Sequence, residues 1–166
     1  MKSTVRLVIL TALRDRLFVS LYALLALTFA VSAYLGSAAV AESSQMAVVY
    51  AAGAARIVLV LGLAVFVSFH IERLYETREI EAVLSRAIAR ETFVLAYWLG
   101  IGASAALVLI PAAAVVFLFQ QSVQGAAYWS ATVLAEVFVV LAFALFCGVS
   151  MERAIPTIFA TVGFYA

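Results

Sequence analysis

The sequence predicts an all-α integral membrane protein: a multi-span helical bundle with four full spans and the start of a fifth. Three observations predict it. Of 166 residues, 67% are hydrophobic and only 11% charged, against roughly 45–50% apolar and about 25% charged in a soluble domain. The few charges leave long uncharged runs, the longest being Leu17–Ala41 and Thr92–Ala135. These runs do not alternate in polarity as barrel strands would, so backbone groups in lipid must bond within helices. The same numbers argue against a soluble enzyme and a disordered chain. A net charge of +1 argues against a nucleic-acid binder, which needs a basic surface.

Taken in order, Met1–Arg16 reads as an interfacial helix. Val5, Val8, Ile9, Ala12 and Leu13 share one side, and Lys2, Arg6, Arg14 and Arg16 meet lipid headgroups. A positively charged topogenic leader explains these arginines equally well. No removable signal is expected, because Leu7–Leu13 is broken at once by Arg14-Asp15-Arg16.

A crossing of about 30 Å of hydrocarbon needs about 20 apolar residues. That places span 1 at about Leu17–Val40 and span 2 at about Ala52–Ile71. The run Thr92–Ala135 is too long for one crossing. It is split by the polar turn Gln120-Gln121-Ser122-Val123-Gln124-Gly125 into span 3, Thr92–Phe119, and span 4, Ala127–Ser150. A fifth span begins near Ile155 and is cut short at Ala166, so residues 1–166 are expected to form a single membrane domain, incomplete at its C-terminus.

Arginine and lysine placement gives the orientation. With the N-terminus in the cytoplasm, only Arg56 among the ten basic residues falls on or near the outer side, a strong positive-inside bias. Tyr97 and Trp98 read as anchors at the inner interface, Tyr128 and Trp129 as anchors at the outer one.

The one sizeable feature outside the membrane is then the cytoplasmic segment Glu72–Glu91, which holds nine of the nineteen charged residues. No glycine or proline interrupts it. Leu74, Ile80, Val83, Leu84 and Ile88 recur mostly every three or four residues, the pattern of an amphipathic helix. Two antiparallel spans need a connection of only about 2–8 residues, so a longer apolar-striped segment points to a docking partner; a solvated connector is the plainer alternative.

Residues Glu72–Gly100, with Thr77-Arg78-Glu79, Leu84-Ser85-Arg86-Ala87-Ile88-Ala89-Arg90-Glu91 and Phe93-Val94-Leu95, resemble the first cytoplasmic loop of ABC-type exporter permeases. That loop commonly has a glutamate-rich start, a Leu-Ser-Arg-Pro-Ile-Ser-Arg-like core and a following span opening Val-Leu-Gly-Lys. The sequence departs from the pattern at Ala87, Ala89 and Ala96-Tyr97. The resemblance implies a coupling helix over residues 72–91 that docks on an ATP-hydrolysing subunit through Glu79, Leu84, Ser85, Arg86 and Arg90. It also implies a second permease copy, and ATP held by the partner rather than by any cofactor site in this chain. The implied setting is a bacterial inner membrane. No phosphate-cradling glycine loop, metal motif or catalytic carboxylate pair is present in the sequence, so the chain is not expected to be an enzyme by itself.

Arg56 and Glu136 are the charges expected within the bilayer. Arg56 lies 14 residues before His70 and Glu136 lies 14 before Ser150, about 21 Å from the inner face in each case. Equal depth and opposite sign suggest an ion pair between spans 2 and 4. Outward snorkelling of Arg56 and a role in binding cargo are the alternatives. Pro111 is expected to kink span 3. Gly100, Gly102, Ser104 and Ala106, and likewise Ala51–Ala55 with Gly53, have the small-residue spacing of close helix contacts. Cys147 and His70 read as structural. Two further functions stay open: a membrane scaffold or assembly protein whose charged loop docks a partner other than an ATPase, and an ion-coupled carrier using Arg56 and Glu136.

Overall fold

A computed structural model of the chain describes residues 16–38, 43–77 and 90–166. Five helices make up the described chain: α1 (Arg16–Ala38), α2 (Ser43–Glu76), α3 (Arg90–Gln120), α4 (Val123–Met151) and α5 (Ala154–Tyr165). No strand occurs among the described residues. The first four are long and apolar enough to cross a membrane. At 1.5 Å per residue, the 34 residues of α2 reach about 51 Å, well beyond the ~30 Å hydrocarbon core. The 12 residues of α5 reach about 18 Å and do not cross.

The four expected spans are all present, and the second, third and fourth run longer. Span 2 begins at Ser43 rather than near Ala52 and continues to Glu76. Glu72–Glu76, expected to open the cytoplasmic segment, is therefore the last turn of α2, with Leu74 buried in the bundle. The interfacial helix expected before Arg16 lies outside the described residues, as does most of the coupling segment.

Helix α2 is the hub, packing against all four other helices, and α4 is its main companion across the core. Ala47, Ala51, Ala55, Leu59, Leu63, Val67 and Ile71 are all buried at four-residue intervals, one continuous inner stripe of α2. On α4 the matching face is Val133, Val137, Val140, Leu141, Ala144, Leu145 and Gly148. The two helices run parallel. Near their N-termini the Trp129 indole N–H donates to the Ala52 carbonyl at 3.2 Å, and near their C-termini the Tyr75 hydroxyl donates to the Val149 carbonyl at 3.0 Å. Helix α3 returns between them in sequence and is antiparallel to both. Helix α1 lies at the edge; among its described side chains and backbone only Leu21, Leu25, Ser32 and Gly36 are buried.

Small residues set the helix approach, as expected where lipid removes any hydrophobic drive between helices. A Cβ at Gly102 would collide with the Phe138 ring, and one at Gly148 would lie 2.7 Å from the Ile71 Cδ1. Gly53 differs from expectation. It faces outward with nothing within 4 Å of where its Cβ would be, while Ala51 and Ala55 are the residues packed inside. Helix α3 runs unbroken through Pro111.

Both tight reversals turn on a left-handed residue that is not glycine. Gln121 (φ 54°) precedes Ser122, whose hydroxyl caps α4 by accepting from the Gly125 N–H at 3.3 Å. Glu152 (φ 56°) ends α4, its N–H donating to the Gly148 carbonyl at 3.0 Å.

Candidate functional site

Two charged side chains, Arg56 and Glu136, meet at the α2–α4 seam. Because α2 and α4 enter from the same end, their Cα–Cβ bonds lean toward that end together. Arg56 lies one turn past Ala52, and Glu136 two turns past Trp129, the pair already joined by the indole hydrogen bond. The Arg56 Nε donates to a Glu136 carboxylate oxygen at 2.5 Å. The ion pair expected from equal depth is therefore formed.

A third helix closes on this pair. On α5, Ala154, Thr157 and Thr161 are buried and Tyr165 packs against the core. The Tyr165 hydroxyl lies close enough to the Arg56–Glu136 pair to interact with both side chains. Phe143 and Phe164 stack at 4.2 Å and hold α5 against α4. The cluster thus ties α2, α4 and α5 together.

The guanidinium is not enclosed. The Arg56 side chain is 46% exposed and that of Glu136 17%. The outer flank of Arg56 is the one vacated by Gly53, three residues before it on the same face. The remaining buried polar groups are quiet by comparison. Ser32, Ser68, Ser104, Thr157 and Thr161 each donate back to a carbonyl one turn earlier. Among the described residues, every buried side-chain nitrogen or oxygen has a hydrogen-bond partner.

Toward the other end, His70 is buried in contact with two rings, stacked on Phe66 at 5.5 Å and tilted against Tyr97 at 6.0 Å. Trp98 donates its indole N–H to the Phe138 carbonyl at 3.0 Å and meets the Phe138 ring edge-on at 5.1 Å. Tyr97 and Trp98 are thus turned into the bundle, a correction to their reading as headgroup anchors. Their N–H and ring faces find partners on neighbouring helices instead of in the interface. Tyr128 is exposed, as an anchor would be, whereas Trp129 is partly buried and spends its indole on Ala52. Cys147 is buried. Among the described residues, no three His, Cys, Asp or Glu side chains gather as metal ligands.

Of the contact residues expected from the resemblance, Glu79, Leu84, Ser85 and Arg86 lie outside the described residues, and Arg90 is the first residue of α3. Tyr165 was missed by sequence reasoning, since a tyrosine near the end of a short apolar stretch reads as an interface residue. Its four-residue spacing from Thr161 and Thr157 is the signal that marks one polar face. No family model, curated protein or solved structure matches the chain.

Proposed function

We propose that this chain is the transmembrane permease subunit of an ABC-type transporter, an exporter, with energy supplied by a separate ATP-hydrolysing subunit. The observation that carries the reading is the charged segment Glu72–Glu91 and its likeness to the exporter coupling helix. It is flanked by the two helices best suited to transmit force. Helix α2 is the hub of the bundle and extends beyond a hydrocarbon core on its own length, and α3 begins again at Arg90 after only thirteen residues. A push on this segment reaches the α2–α4 core directly, as a two-state rocking of permease halves requires. The working assembly is two permease copies with two ATPase subunits. ATP is bound by the partners, and the N-terminus is cytoplasmic in a bacterial inner membrane.

Co-purification from mild detergent tests it. A native chain that brings down an ATP-hydrolysing subunit, lost in Glu79→Lys/Arg86→Glu, supports the permease. A well-folded preparation without ATPase activity refutes it and favours the scaffold reading.

A further inference from the structure

A guanidinium carries five N–H donors in a fixed fork. In Arg56, Nε is committed to Glu136, and Tyr165 reaches the same pair. One carboxylate and one phenol do not saturate that fork, and 46% of the side chain faces out of the bundle. Within a bilayer, outward donors at this depth require an acceptor, because hydrocarbon supplies none.

The surroundings indicate which acceptor fits. Ala52, whose carbonyl accepts from Trp129, is one turn nearer the end of the bundle, about 6 Å along the axis. Exposed Tyr50 and Tyr128 lie near that same end, as aromatic residues do at headgroup level. A long arginine side chain spans one turn easily. Between Arg56 and that end, the α2 surface is bare at Gly53, where nothing stands within 4 Å of a built Cβ. The way from the Arg56 guanidinium toward that end is therefore open surface, with no side chain at position 53 to cover it. We infer that Arg56, with the uncovered surface at Gly53, forms a binding site for a phospholipid phosphate, Glu136 holding the guanidinium so that its outward N–H groups meet the anionic oxygens. The lipid belongs to the leaflet at the Ala52/Trp129 end. Planar, forked N–H donors suit phosphate better than a point charge does.

Native mass spectrometry of the full chain released from mild detergent tests this. Phosphatidylglycerol is compared with diacylglycerol of the same acyl chains, which lacks phosphate, and with inorganic phosphate as competitor. The expected result is retained phosphatidylglycerol, no retained diacylglycerol, and no displacement by excess inorganic phosphate. Arg56→Gln and Gly53→Leu each lower retention at least about tenfold, the loss of charge-assisted hydrogen bonds. Gly53→Leu does so without lowering the unfolding midpoint, since nothing stands within 4 Å of its Cβ and leucine favours a helix over glycine; it keeps the test decisive if Arg56→Gln misfolds. Equal retention in Gly53→Leu and native chain, or equal retention of diacylglycerol, overturns the inference. Displacement by inorganic phosphate overturns the lipid as occupant. A lipid-free dimer insensitive to added phosphatidylglycerol overturns it by placing a second copy on this face.

Discussion

Arg56 and Glu136 stand eighty residues apart in the chain and 2.5 Å apart in space, because α2 and α4 run parallel and lie in register. Removing either partner strands a charge at membrane depth, whereas removing both leaves an apolar seam. Glu136→Gln and Arg56→Met are each expected to cost about 2–3 kcal/mol, and the double variant less than either alone. Unfolding in a detergent-denaturant titration checks this, and additive costs in the double variant refute an energetic pair.

Two glycines on neighbouring helices should answer the same substitution with opposite signs. Gly53→Ala adds a methyl to open space and gains up to about 1 kcal/mol of helix propensity. Gly102→Ala drives a methyl into the Phe138 ring and should cost about 1–3 kcal/mol by forcing α3 and α4 apart. Unfolding midpoints of the two variants give the comparison.

Trp98→Phe and Tyr75→Phe each delete one donor to a carbonyl of α4, at Phe138 and Val149 respectively. Interhelical hydrogen bonds in membranes contribute on average about 0.6 kcal/mol. Tyr75→Phe should show a loss of that size together with faster amide exchange confined to the last turns of α2. Uniformly faster exchange along α2 would contradict a local staple.

Glu152 ends α4 in a left-handed conformation that costs an ordinary residue about 1–2 kcal/mol. Glu152→Gly should therefore raise stability by up to about 1 kcal/mol. Gln121→Gly should do the same at the other reversal. A lower unfolding midpoint in Glu152→Gly would show that its carboxylate contributes more than its backbone costs.

The number and order of the spans were legible because charge is what lipid excludes, and charges are easy to count. The Arg56–Glu136 pair was legible for the same reason, since helix rise converts sequence distance into depth. Which way each side chain faces was not. In a soluble helix, polarity separates the inner face from the outer one, but lipid and core are equally apolar, so Val60 inside and Ile57 outside look alike in sequence. Tyr97, Trp98 and Gly53 were misread on that account. The extra turns of α2 before Ala52 were missed because about 20 residues counted back from Ile71 already make one crossing, whereas the helix itself continues past the length a crossing needs.

The long chain separation between Arg56 and its counterion also has a biosynthetic side. At about 5–20 residues per second, roughly 4–16 s of translation pass between the two residues. Throughout that interval α2 is complete through Arg56 while its carboxylate has not been made. The nascent chain therefore inserts an arginine whose neutralising partner arrives two crossings later. The insertion machinery or the headgroup layer must shelter that charge meanwhile, and a ribosome stalled before Glu136 leaves it behind unanswered.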